Sequence, residues 1–101
     1  MLIDLGKIVG FDWDEGNVRK SADKHFVSPR EAEQVFIDPH LLTLLDTAHS
    51  GDEKRFHAYG KSADGRLLLV SFTLRDKETM IRVISARSMS RRERERYAEE
   101  T

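Results

Sequence analysis

Between Lys54 and Arg87 the chain runs through three strand-like stretches broken by two short turn signals, and this limits the fold more than any other feature. The stretches are "KRFHAYGKS", "RLLLVSFTLR" and "TMIRVISAR". The first alternates: Phe56 and Ala58 fall on one face, Arg55, His57 and Tyr59 on the other. The second is apolar at most positions, as expected of a central strand. Ala63-Asp64-Gly65 carries an Asp-Gly hairpin signal, and Arg75-Asp76-Lys77-Glu78 is a second turn. Connections this short join antiparallel neighbours. With "LLTLLDT" upstream, the sequence predicts an antiparallel meander of about four strands.

Helices flank the meander. "KIVGFDW" reads as a short strand leading into a helix, with Asp12 as cap and Glu15 three positions on. Val18, Ala22 and Phe26 would form its narrow apolar stripe. A second helix starts in "SPREAEQVFIDP": Ser28 is the N-cap, Pro29 the first helical residue and Glu31 the capping-box partner. Ala32, Val35 and Phe36 form its buried face, and Asp38-Pro39 stops it. "SRRERERYAEE" predicts a terminal helix capped by Ser90 and Glu93, in which only Tyr97 and Ala98 can pack. Its Arg91–Glu95, Arg92–Glu95 and Arg96–Glu99 pairs add tenths of a kcal/mol each. Such a helix is marginal alone and either frays or orders against RNA or a protein partner. The expected class is α+β: two short N-terminal helices on one face of the meander, a C-terminal helix, and the other face open to a partner.

A chain of 101 residues predicts a single domain over residues 1–101. No cysteine is present, which excludes disulfides, thiolate zinc sites and cysteine nucleophiles. The longest apolar stretch, Leu67 to Val70, is far too short to span a bilayer, and "MLIDLGKIVG" is not a signal peptide. The expected location is therefore cytoplasmic, without a membrane partner. A net charge of −1 hides an asymmetry: residues 1–50 hold nine acids and five bases, residues 51–101 nine acids and twelve bases. The second half is the better place to meet an anion such as nucleic acid.

Most familiar chemistries are missing. Asp12, Asp14 and Glu15 fail the calcium-loop pattern because Gly16 stands where a ligand is needed. His25, His40, His49 and His57 lack metal-ligand spacing, and there is no phosphate-cradling glycine loop or nucleophile elbow. No metal or cofactor is expected. A basic and polar set remains: His49, Glu53, Lys54, Arg55, Arg66, Arg75, Arg82, Ser85 and Arg87. It suits RNA cleavage by the RNA's own 2′-hydroxyl, which needs a proton acceptor, cations for the phosphorane and an acid for the leaving oxygen. Glu53 or His49 would take the proton, and arginines on a rigid sheet would hold the phosphate. The plain alternative is a solvated loop, an Arg55–Glu53 surface pair and polar strand cover. Arg82 is unusual, since an arginine within a central strand requires a carboxylate or a ligand.

The motifs "FDWDEGN", "EAEQVFIDP", "HSGDEKRF", "YGKSADGRLLLV" and "IRVISARSMSRRERERY" resemble the BrnT family of type II toxins, from Phe11 to Tyr97. The resemblance implies a RelE-like α+β fold and a cofactor-free ribonuclease that cleaves RNA and arrests growth. It also implies a BrnA-like antitoxin that neutralises the toxin, brings DNA in only indirectly and allows an oligomeric complex. Positions matching the family pattern are Lys24, His25, His49, Glu53, Arg55, Arg66, Arg82, Ser85 and Arg87. From these and the basic set, His49, Glu53, Arg55, Arg82 and Ser85 are the expected catalytic residues. Lys54, Arg66, Arg75 and Arg87 are expected to bind RNA. The chain departs from the pattern with Ser21 for Asn and Phe26 for Gly. The missing glycine predicts loss of the usual left-handed helix end, which would alter the geometry around Lys24 and His25.

Two rival functions stay open at this stage. A non-catalytic module would dock a partner through the open sheet face and the polar helix. A self-sufficient DNA-binding regulator lacks its usual signature, a helix-turn-helix.

Overall fold

The computed structural model describes residues 3–100. After a 3-10 turn at Leu5–Lys7 come β1 (Gly10–Trp13), α1 (Glu15–His25) and α2 (Pro29–Gln34), the last running into a 3-10 turn at Val35–Ile37. Then follow β2 (Leu42–Leu45), β3 (Phe56–Lys61), β4 (Leu67–Arg75), β5 (Met80–Ser88) and α3 (Arg91–Glu100). The strands form one sheet in the order β1-β5-β4-β3-β2. The expected meander is there, β2 to β5, all antiparallel. To it β1 adds a fifth, edge strand, parallel to β5. Parallel pairing is possible because α1, α2 and the meander separate β1 from its partner in sequence.

Both turn signals form hairpins. Gly65 takes φ +85 in the β3–β4 turn, a conformation open to glycine at no steric cost. The β4–β5 turn carries Asp76, Lys77 and Glu78 all at positive φ, closed by Thr79 donating to the Arg75 and Asp76 carbonyls.

The main core lies between the sheet and the α1–α2 layer. Phe72, fully buried, meets Phe36 edge-on at 5.1 Å and stacks on Phe56 at 5.5 Å. Ala32, Val35, Val27, Val70, Ile81 and Val83 surround them. The predicted buried face of the second helix is therefore correct. Gly60 is required by packing: a Cβ there would lie 2.7 Å from Val35 Cγ1 and 2.9 Å from its carbonyl oxygen.

The first helix differs from expectation in three respects. Its cap is Asp14, not Asp12, with Asp14 Oδ1 accepting from the Asn17 N–H; Asp12 belongs to β1. Its buried residue is Ser21, whose hydroxyl accepts from the Ala86 N–H, while Asn17 donates to the Val83 carbonyl. α1 thus satisfies β5 backbone groups beyond the end of β1. Phe26, expected in the apolar stripe, is 79% exposed and caps the helix in the left-handed conformation at φ 55. The left-handed end survives without glycine because Phe26 and Val27 still donate to the Ala22 and Ser21 carbonyls.

α3 covers part of the face expected to be open. Tyr97 and Met89 pack on Tyr59 and Leu69, flanked by Leu42, Leu44 and Leu67. The Tyr97 hydroxyl donates to Asp38 at 2.6 Å, and Asp38 also accepts from the Lys61 and His40 N–H groups. Burial first, then the Asp38 hydrogen bond, pushes the Tyr97 hydroxyl up to about 12. The Ser90–Glu93 capping box forms in both directions.

Candidate functional site: the uncovered half of the sheet

A single irregularity decides which residues share the second face. Ser71 pairs with Ser85, but the next residue, Phe72, pairs with Val83, so Ile84 is an extra residue in β5. This bulge keeps Val83 and Ala86 in the core and turns Arg82, Ser85 and Arg87 to the same side. Three cross-strand rows result. One runs Asp12, Arg82, Thr73; the next Ser85, Ser71, His57, Leu44; the third Arg87, Leu69, Tyr59, Leu42. α3 packs over the third row. No helix lies over the first two rows, which are mostly polar and partly exposed, apart from Thr73, which is buried, and Leu44, which packs against the α3 cluster.

Arg82 has the carboxylates its strand position required. It reaches Asp12 at 3.2 Å and Asp14 at 3.3 Å, so Asp14 caps α1 with one oxygen and holds Arg82 with the other. Its guanidinium is still 30% exposed. Beside it the Thr73 hydroxyl is buried with no hydrogen-bond partner. Alternation places Arg55 on this face as well, and its guanidinium makes no hydrogen bond or ion pair among the described residues.

The segment between β2 and β3 rises at the same end. Asp46 anchors it. Its N–H donates to the Arg55 carbonyl, and its own carbonyl accepts the Ser50 hydroxyl at 2.6 Å, which in turn accepts the Arg55 N–H. The Asp46 side chain is only 6% exposed, and Oδ2 lies 2.9 Å from His49 Nδ1 and 3.1 Å from His57 Nε2. Burial works to raise the Asp46 carboxyl. The His49 hydrogen bond and the His57 charge outweigh it, leaving the group below the usual carboxylate range. Glu53 in this segment pairs with Arg75 at 3.0 Å, and Lys54 is exposed.

The structure therefore gathers His49, Glu53, Lys54, Arg55 and Arg75 at one end of the sheet, with Arg82 and Ser85 beside them. It does not bring Arg66 or Arg87 into this group. Arg66 lies at the α1–α2 junction, bonded to Glu31 and the Phe26 carbonyl. Arg87 forms a two-pronged bond to Glu93, at 2.7 and 2.9 Å, that ties α3 to β5. Lys24 and His25 sit in the last turn of α1. Sequence reasoning passed over Asp46; its only linear signal is an acid three positions before a histidine. Among the described residues no set of three His, Asp or Glu side chains converges as metal ligands, and no helix is long and apolar enough to cross a membrane.

The half of the sheet that α3 leaves open thus carries arginines and hydroxyls on a rigid frame. Residues 13–93 match the family described as the ribonuclease toxin BrnT of type II toxin–antitoxin systems, and the chain belongs to that family. The crystal structure of the Brucella abortus ribonuclease toxin BrnT has the same fold, with a TM-score of 0.62 at 20% identity, covering 82% of this chain and 99% of that one. No curated protein matches the sequence.

Proposed function

We propose that the protein is a metal-independent endoribonuclease that cleaves RNA in the cytoplasm, slows growth by stopping translation, and is silenced by a cognate antitoxin. The observation that carries this reading is the half of the sheet that no helix covers, where Arg82, Arg55 and Ser85 stand partly exposed. Family membership supports the ribonuclease class. Arg55 and Arg82 stabilise charge on the phosphorane from a rigid frame, an electrostatic contribution that needs no rearrangement during the reaction. His49 or Glu53 takes the 2′-hydroxyl proton, and Ser85 hydrogen-bonds the phosphate. Lys54 and Arg75 hold the flanking backbone. Arg66 and Arg87, engaged by Glu31 and Glu93, act on the fold first and on RNA at most from its edge. The outer side of α3, with Arg92, Glu95, Arg96 and Glu99 exposed, suits a charged antitoxin segment.

The test is incubation of purified, antitoxin-free protein with labelled RNA in EDTA, beside Arg55→Ala and Arg82→Ala. Cleavage by the wild type and loss of at least about tenfold in each variant is expected. Full cleavage by both folded variants refutes the site. No cleavage by any of the three refutes the ribonuclease reading and leaves a docking module.

A further inference from the structure

We infer that Asp46 is the positioning residue of an acid–base pair formed by His49 and His57. The inference rests on the ribonuclease reading and names the groups that move its protons. A carboxylate only accepts hydrogen bonds, so His49 Nδ1, hydrogen-bonded to Asp46 Oδ2, carries the hydrogen, while His57 Nε2 stands 3.1 Å from the same oxygen as a charge contact. That leaves His49 Nε2 and His57 Nδ1 as the outward nitrogens. The carboxylate is itself held, because Asp46 Oδ1 accepts the His49 N–H and the Asp46 backbone is bonded to Ser50 and Arg55. The His49 ring therefore has a set tautomer on a set frame, with His57 held beside the same carboxylate.

RNA transesterification needs one group that takes a proton and one that gives a proton, and the two rings beside Asp46 are placed to share these roles. One ring takes the proton of the 2′-hydroxyl, and the freed electron pair on O2′ forms the bond to phosphorus. The bond from phosphorus to O5′ breaks, its electron pair stays on O5′, and the other ring supplies the proton there. The products are a 2′,3′-cyclic phosphate and a 5′-hydroxyl, with no net proton change in the pair. His49 is two-thirds exposed and free to reach a substrate. His57 shares a cross-strand row with Ser71 and Ser85 and lines a depression of about 270 Å³ with Leu44, Tyr59 and Arg96. Arg96 would meet a phosphate there, and Leu44 and Leu45 a base. The substrate class is single-stranded RNA; DNA, lacking the 2′-hydroxyl, would bind without reacting.

The experiment compares the full chain with His49→Ala, His57→Ala and Asp46→Asn on a short labelled RNA, under single turnover, with RNA affinity measured in parallel. Each histidine variant should cleave roughly 10²–10⁴-fold more slowly with affinity unchanged. Added imidazole should restore part of the rate, and the wild-type product should end in a cyclic phosphate. Asp46→Asn should lower the rate without weakening binding and should shift the ¹⁵N resonances of the His49 ring toward the other tautomer, which a purely structural role would not do. Wild-type rates in folded histidine variants overturn the pair. An unchanged rate and unchanged ring resonances in Asp46→Asn overturn the positioning role. A wild type that cleaves no RNA overturns the ribonuclease reading itself, and the pair with it.

Discussion

Replacing Glu93 by Gln isolates the charge that fastens α3 to the sheet. Glu93 receives both prongs of Arg87 and the Ser90 N–H, at 2.7 to 2.9 Å, and its side chain is 19% exposed. The Arg87 hydrogen bond, working against burial, holds its carboxyl down from 4.5 to about 2. At roughly 1.4 kcal/mol per pH unit that displacement corresponds to about 3 kcal/mol of preference for the charged form in the folded protein. Arg87 is 40% exposed, so solvent screens the pair and about 1–2 kcal/mol is the realistic share. Because the folded-state value is depressed, this stability is present above pH 4.5, where the unfolded chain is also ionised, and is lost as pH falls from 4.5 toward about 2. Glu93→Gln keeps one oxygen for Ser90 and the first Arg87 prong, and removes the charge together with the acceptor of the second prong. At pH 7 it should be less stable by about 1–2 kcal/mol, seen as a fall in Tm of about 4–16 °C. Only toward pH 2 should the two melting curves converge. Asp38 and Asp46 are also depressed, but they are common to both proteins and cancel in the difference. A difference that stays constant from pH 7 to pH 2 would refute the reasoning, since it would then come from packing.

Two further substitutions probe the backbone. Gly60→Ala would force β3 away from Val35 and should destabilise by about 1–3 kcal/mol, read as a lower urea midpoint with unchanged slope; an unchanged midpoint would mean the close approach is soft. Phe26→Gly should stabilise by about 0.5–1 kcal/mol, read as a higher urea midpoint, because the left-handed cap at φ 55 suits glycine and the exposed ring buries little; a lower midpoint would assign the ring a packing role.

Much of the architecture was legible because it is written in local chemistry. The Asp-Gly turn, the Ser28 and Ser90 caps, the Pro39 stop and the strand alternation each depend on neighbours a few residues away, and each stands where it was expected. The N-terminal region was less legible. Asp12 was the expected cap, but β1 claims it for pairing opposite Arg82, and the cap falls to Asp14. α3 looked marginal, with only Tyr97 and Ala98 able to pack, yet Tyr97, bonded to Asp38 and set on Tyr59 and Leu69, seats it together with the Arg87–Glu93 pair.

The candidate site divides the same way. The residue types suited to RNA were visible, since a basic second half with arginines in strands needs no structure to be noticed. Their arrangement was not. Simple alternation along β5 puts Arg82 on one face and Ser85 and Arg87 on the other; the bulge at Ile84 reunites them, and a bulge is fixed by pairing with a partner strand. Asp46 joins His49 to His57 across eleven residues of chain, and only the closure of β2 on β3 brings that carboxylate within 3.1 Å of both rings. The sequence by itself determined the elements and the chemical inventory, because propensity, caps and turns act over a few bonds. Which side chains meet was decided by tertiary structure, because register and burial are properties of paired strands and not of either strand alone.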